Sequence, residues 1–337
     1  MAEARQSPFR EGVQDLPLLG RRDRAPGRGS HFVSWQPSAE PNAGEVQGCD
    51  WLEQVIRGRP RDLGGFTVRR VLPSSKRRTV GPFIFFDQAG PAELGPGQAI
   101  DVRPHPHIGL ATVTYLFEGE LLHRDNLGSA QVIRPGDINW MTAGSGIVHS
   151  ERSTPEAREK TSPLSGIQTW VALPKAMEET APGFFHHPKA TLPRIEEDGI
   201  CLRLLLGSLY GKTSPVKTLS ETLYADVSLE SGATLIFPAE NEERGIYLAS
   251  GEIEIGGENF ADDGLLVLCT RDALSIRAKA PSRLLLIGGT APDGPRFLWW
   301  NFVSSSEARI ERAKKDWKEG RFGTVPGDAE EFIPLPE

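Results

Sequence analysis

From Trp51 onward the chain alternates short apolar segments with turns rich in Gly and Pro: Phe66-Thr67-Val68, Pro82-Phe83-Ile84-Phe85-Phe86, 112–116, 130–133 and 169–173. These segments favour β-branched and aromatic side chains, which suit a pleated, half-buried surface. A link between Pro182 and Pro193 separates them from a second series at 204–206, 223–229, 234–237, 245–255, 265–269 and 284–287. Many short strands at this spacing predict an all-β chain built as two sandwich- or barrel-like units. The expected divisions are an N-terminal extension over residues 1–48, a first β unit over 49–185 and a second over 186–337.

The two units echo one another. Tyr115-Leu116-x-x-Gly119-Glu120 reappears as Tyr247-Leu248-x-x-Gly251-Glu252, 132 positions further on. The same offset carries His105-Pro106-His107 onto Phe237-Pro238-Ala239, where the proline persists and both histidines are gone. A duplicated barrel is the architecture this predicts.

The two ends of the chain depart from the β pattern. Ser304-x-x-Glu307 reads as a capping box, Ile310, Ala313 and Trp317 share one helical face, and Gly320 supplies a left-handed stop. One amphipathic C-terminal helix packed across a sheet is expected. Residues 20–29, rich in Arg, Pro and Gly, cannot bury a core face. The extension is therefore read as flexible or loosely docked.

Composition narrows the function classes. Lys and Arg number 38 against 45 Asp and Glu, a net charge of −7, so nucleic acid is not an expected partner. Cys49, Cys201 and Cys269 are too far apart for a C-x-x-C clip and odd in number, which fits a reducing, cytoplasmic setting. The longest apolar runs fall far short of a bilayer span and the N-terminus lacks a signal core, so no membrane role is expected.

The candidate chemistry lies in the histidines. Of seven, two form His105-Pro106-His107 and one opens His149-Ser150-Glu151. Residues i and i+2 of a strand face the same side, so each motif sets two metal-ligand side chains next to each other. Two such strands facing each other would bring three imidazoles and one carboxylate to a common point. This N/O donor set suits a divalent transition metal (Fe, Mn, Ni, Cu or Zn) and leaves open coordination positions for dioxygen or a chelating ligand. The remaining candidates carry plainer expectations. His123, just past the turn at Gly119, is expected to bond a loop, and His186 and His187 to lie at the surface of the link. Asp137 and the run Gly144-Ser145-Gly146 are read as turn residues.

The residues so far resemble the pirin family of two-domain cupins, from about Trp51 to Gly323. The resemblance rests on Asp62-Leu63-Gly64-Gly65-Phe66-x-Val68-Arg69-Arg70, Gly81-Pro82-Phe83-Ile84-Phe85-Phe86-Asp87 and Arg103-Pro104-His105-Pro106-His107-Ile108-Gly109. Gly119-Glu120-x-x-His123-Arg124-Asp125 and Trp140-Met141-Thr142-Ala143-Gly144-x-Gly146-Ile147-Val148-His149-Ser150-Glu151 complete it. It implies two cupin-type β-barrels, a bicupin, with an iron-type site at His105, His107, His149 and Glu151 in the first. Ordinary cupins take their carboxylate three or four residues after His-x-His. Here that window holds Leu110 to Thr112, and Glu151 takes the role.

Some members of that family cleave flavonols such as quercetin with dioxygen, and others act as iron-dependent cofactors that bind transcription factors. The resemblance therefore implies Fe(II) first among the metals, a small aromatic chelating substrate together with dioxygen, and Glu151 as the group that takes the substrate's hydroxyl proton. Apolar residues near Trp140 and Met141 are expected to shape the cavity. The alternative is a redox-dependent regulatory module that binds a protein partner without catalysis. The second unit, with no histidine after His187, is expected to be a metal-free scaffold.

Overall fold

The computed structural model describes residues 33–34, 51–62, 66–261 and 264–336. It contains the same two-sheet arrangement twice. In the first unit a seven-stranded sheet runs in the order Gly183–His187, Ile138–Thr142, Leu110–Glu118, Ser162–Ala172, Phe83–Leu94, Thr67–Leu72 and Arg59–Asp62. A four-stranded sheet, Asp101–His107, Ile147–Arg152, Leu121–Asp125 and Ala130–Ile133, faces it. The second unit repeats the plan, with Thr222–Leu229, Ser282–Gly289, Glu243–Ser250 and Gly264–Leu268 central in its seven-stranded sheet. Its four-stranded sheet contains Thr234–Phe237, Leu274–Ala278, Glu252–Ile255 and Glu258–Ala261. The chain is thus a pair of β-barrels with a C-terminal helix, as the pattern predicts.

The two large sheets pack against each other through one apolar cluster drawn from both units, including Val113, Ile138, Trp140, Ile167, Tyr224, Leu285 and Ile287. Two buried tyrosines cross this seam in a reciprocal way. Tyr115 donates its hydroxyl to Asp226 at 2.7 Å, and Tyr247 donates to Gln88 Oε1. The registers show why these bonds match. Gln88, Ile167 and Tyr115 form one row across the first sheet, and Asp226, Leu285 and Tyr247 form the equivalent row across the second. The repeat seen in the sequence is therefore a pseudo-twofold relation in which each barrel's tyrosine reaches the other barrel's polar partner.

The polypeptide does not keep strictly to one barrel at a time. Leu52–Arg57 leaves the first unit and pairs with Gly264–Leu268 at the edge of the second sheet. Conversely, Phe302 and the helix residues Ile310, Ala313 and Trp317 pack on Ile108 and Val148 of the first barrel. Past the helix, Ile333 donates its amide to the Pro104 carbonyl at 2.8 Å. Arg152 clamps Asp328 with two bonds of 2.6 and 2.7 Å.

Several local expectations change. The C-terminal helix begins at Glu307 with Ser306 at its N-cap. Ser304 is used instead by the strand Phe302–Ser304, and its hydroxyl accepts the Ser306 amide at 3.1 Å. The expected capping box therefore does not form: the strand runs right up to the helix, the N-cap moves two residues on to Ser306, and Ser306 makes no side-chain cap bond. The stretch holding His186 and His187 is no loose link: Gly183–His187 is the edge strand of the first large sheet, and His186 is half-buried. Of the extension over residues 1–48, Val33–Ser34 pairs in parallel with Phe297–Leu298, and the rest lies outside the described residues, as does Cys49.

Candidate metal centre

His105 and His107 sit on one strand of the small sheet and His149 on its antiparallel neighbour, with His149 directly opposite His105. Their ring centroids are 4.4 Å apart for His105 and His149, and 5.0 Å for each of the other two pairs. Three ligand atoms, one from each ring, lie within 4.8 Å of one another, and all three side chains are buried.

The hydrogen bonds leave the right atoms free. His105 Nδ1 lies 2.8 Å from the Arg103 carbonyl and His107 Nδ1 lies 3.2 Å from the Asn301 carbonyl. A ring nitrogen that donates to a carbonyl must carry its proton, so Nε2 of each ring is left as a lone-pair donor. His149 is buried with neither ring nitrogen hydrogen-bonded. Such an orphaned polar group is costly to bury unless it has a partner of another kind. Burial also holds the rings neutral. It pulls His105 down to about 4, and lowers His107 and His149 well below the ordinary imidazole value, with the neighbouring histidines adding to the effect. Neutral, converging and unpaired imidazoles fit one divalent metal ion.

Glu151 follows on the His149 strand and shares the barrel interior, but its carboxylate stands outside the tight three-imidazole group. A register irregularity between His149 and Glu151 on the side of the His105 strand sets Glu151 opposite Val102. The carboxylate is held from the large sheet. Thr114 Oγ1 lies 3.0 Å from Glu151 Oε1 and 2.7 Å from Gln168 Oε1, so its single proton serves one of them at a time. Gln168 Nε2 approaches both Glu151 oxygens at 3.4 Å. Burial raises the Glu151 carboxyl above its ordinary value, against the opposing pull of His123, Thr114 and Gln168.

Among the described residues, His123, His186 and His187 lie outside the cluster, and His31 is outside the described residues. His123 is buried, stacks on Phe184 at 4.1 Å and bonds Asp125 Oδ2 at 3.0 Å; its ring lies 5.3 Å from His149. Its partner is a strand-end carboxylate that in turn accepts the Leu127 and Ser129 amides, which realises the expected loop bond. His186 bonds Asn139 Oδ1 at 2.8 Å. Asp137 caps its turn by accepting the Arg134 amide, and the Gly146 amide closes the turn at Ala143.

A cavity of about 590 Å³ opens beside the cluster, bordered by His105, His107 and Glu151. Its wall carries Phe85 and Trp170, stacked at 4.0 Å, with Trp170 set edge-on to His107. Trp140 and Met141 do not line it. Trp140 is consumed by the seam between the barrels, and Met141 packs with Ile84, Leu110 and Ile147 in a separate cluster.

Sequence reasoning missed the polar residues of the large sheet. Arg59, Arg70, Asp87, Gln168, Thr114, Asn139 and His186 form one continuous cross-strand row over seven strands. Residues paired in register face the same side of a sheet, so this row stripes one face. Five of its members, from Arg59 to Thr114, line the cavity. The local signal was a polar residue within an apolar strand, as at Gln168 between Ile167 and Trp170; the alignment of the row lies in strand order. In the second barrel the position equivalent to His105 is Phe237, fully buried among Leu, Ile and Val side chains. An apolar core there takes the space that the first barrel keeps open.

Two β-barrels in one chain, one packed solid and one holding a three-histidine cluster at a cavity, define a bicupin metalloprotein. The pirin family model matches residues 65–171 and the pirin C-terminal cupin domain model matches 224–323. A pirin-like protein of Caulobacter vibrioides is 48% identical over 85% of this chain and 100% of its own length. A Pseudomonas aeruginosa protein, provisionally named a quercetin 2,3-dioxygenase, is 44% identical over 81% of this chain and 87% of its own. The crystal structure of a quercetin 2,3-dioxygenase from Acinetobacter baumannii superposes with a TM-score of 0.78 at 34% identity, covering 84% of this chain and 95% of that one. The chain belongs to the pirin family.

Proposed function

We propose that the protein is a mononuclear dioxygenase that cleaves a flavonol such as quercetin, or a related chelating substrate, with dioxygen, and that iron(II) is its metal. The observation that carries this reading is the buried three-imidazole cluster opening into a cavity of small-molecule size. The quercetin dioxygenase names among its relatives support it. A cavity of this kind favours a small-molecule substrate over a purely regulatory surface.

His105 and His107 would hold the ion through Nε2, His149 through one of its unpaired nitrogens, and Glu151 would complete the set. A bound redox-active divalent ion supplies Lewis-acid activation of the chelating oxygens and an electron route to dioxygen. Glu151 receives the hydroxyl proton of the arriving substrate. Thr114 and Gln168 hold the carboxylate in position, and the Phe85–Trp170 stack offers a flat wall to an aromatic ring.

The test is direct. Protein loaded anaerobically with Fe(II) is mixed with quercetin, and air is then admitted while the flavonol absorption band is followed. Oxygen-dependent bleaching with release of carbon monoxide is expected. An unchanged band would overturn the proposal.

A further inference from the structure

Away from the histidines the cavity wall changes character. The strand Arg59–Asp62 lies at the edge of the large sheet and alternates strictly: Arg59 and Arg61 are half-buried, whereas Pro60 and Asp62 are exposed. Both arginines line the cavity, together with Arg70, Arg78 and Arg103. Five arginines thus meet three carboxylates (Asp87, Asp101 and Glu151) in a chain whose net charge is −7.

Those carboxylates are already engaged. Arg70 takes both oxygens of Asp87, at 2.8 and 2.7 Å. Asp101 is held by Arg152 and Arg158 from outside the cavity, and Glu151 by Thr114 and Gln168. Among the described residues, no hydrogen bond or close ion pair reaches Arg61 or Arg78, and the counter-charge that acts on Arg61 is Asp87, at longer range and while bound by Arg70. Burial lowers the Arg78 pKa with no nearby carboxylate to offset it. A partly desolvated guanidinium carries five donors in a planar fork that matches a carboxylate. Inward charges on an edge strand also discourage edge-to-edge pairing, which would account for Arg61. It would not account for Arg78, which lies in the loop after Leu72 and not on the edge.

Between the two ends much of the lining is apolar, with Phe66, Val68, Phe85, Leu116, Ile167 and Trp170 in the wall, while Ser74, Ser75 and Asn301 add polar groups. Strand spacing of about 5 Å puts Arg70, three strands away from Thr114 in the row, on the order of 15 Å from the Glu151 end. That span suits a ligand of two or three rings.

We propose that the cavity is bipolar and that its natural substrate is an aromatic acid. Its chelating oxygens face the histidines, its ring system lies along the apolar wall, and its carboxylate is gripped by Arg61 and Arg78. The chelating end rests on the function proposed above; the anionic end stands without it.

The experiment is equilibrium binding to anaerobic, metal-loaded protein, read by tryptophan fluorescence. It compares a neutral flavonol with the same flavonol carrying a carboxylate on its outer phenyl ring. The carboxylate form is expected to bind roughly ten- to a hundredfold tighter. That preference should shrink as salt is raised and fall to near one in an Arg61→Gln, Arg78→Gln variant whose melting temperature is retained. Equal affinities in the unaltered protein would overturn the proposal without any variant, as would a preference that survives in the folded variant. Oxygen is excluded, so the readout is independent of turnover: a preference for the acid in a protein that never bleaches quercetin would defeat the proposed activity and leave the anion site standing.

Discussion

Thr114 and Tyr115 are consecutive residues of one strand, and each serves a different face of its sheet. Thr114 reaches Glu151 inside the first barrel, and Tyr115 reaches Asp226 in the second. The alternation of a strand makes this division automatic. It predicts that scaffold and site respond separately to substitution. Tyr115→Phe removes one donor from Asp226 while the bidentate Arg283 pair remains, at 2.9 and 2.6 Å. It should cost about 1–2 kcal/mol of unfolding free energy and leave metal content unchanged. Denaturant unfolding and metal analysis on one preparation check both halves, and a matching loss of metal would show that seam and site are coupled.

The buried imidazoles make metal-free protein sensitive to acid. Burial depresses His105 to about 4 and takes His107 and His149 well below the ordinary 6.5. Between those values the unfolded chain binds more protons than the folded one, so stability falls as pH drops from 6.5 toward 4 and is indifferent to these groups above 6.5. Each imidazole should contribute on the order of 1–2 kcal/mol by about pH 5. Urea unfolding of chelator-treated protein across that range, with His149→Ala as the comparison, isolates the share of one ring. Identical slopes for the two proteins would contradict the assignment.

Glu151→Gln keeps the size of the side chain and its acceptor for Thr114 while removing the proton-accepting charge. The expected outcome is a folded protein that retains a more weakly held metal on three imidazoles and loses about a hundredfold or more in turnover. Steady-state flavonol consumption beside metal titration separates the two effects. Full activity in this variant would remove Glu151 from the chemistry.

Gly109 has φ of +68°, and a Cβ there would meet the Val303 carbonyl oxygen at 1.9 Å. The strand Phe302–Ser304 approaches at this point, with the Val303 amide bonded to the Ile108 carbonyl, and Asn301 just before it holds His107. Gly109→Ala should therefore cost roughly 2–3 kcal/mol and also lower metal affinity, because the segment that orients His107 is pushed away. Thermal melts and metal titration test this. Loss of stability with unaltered metal affinity would show that the Asn301 carbonyl does not orient the ring.

How far the sequence discloses all this depends on the range of each interaction. The two i, i+2 pairs are legible because strand alternation is local, and the Tyr115/Tyr247 echo is legible because duplication preserves spacing. The row from Arg59 to His186 is not, since it depends on which distant strands become neighbours. Leu52–Arg57 is not among the segments the apolar pattern marks, and its membership of the far barrel depends on a distant partner strand. Ser304 is a sound helix-capping residue that a strand takes first. Phe237 shows the reverse case: the absence of histidine is visible, and its physical reason, an apolar side chain filling the equivalent space, appears only in the fold.

The central claim is that His105, His107 and His149 hold one metal ion. The measurement that bears on it most directly is metal content per chain, by elemental analysis after anaerobic reconstitution and desalting, for the unaltered protein and for His149→Ala. His149 is chosen because no hydrogen bond within the protein would be lost with its ring. The account predicts close to one equivalent in the first, a loss of about a hundredfold or more in affinity in the second, and folding retained in both. Equal metal content in the two folded proteins, or none in either, would contradict it.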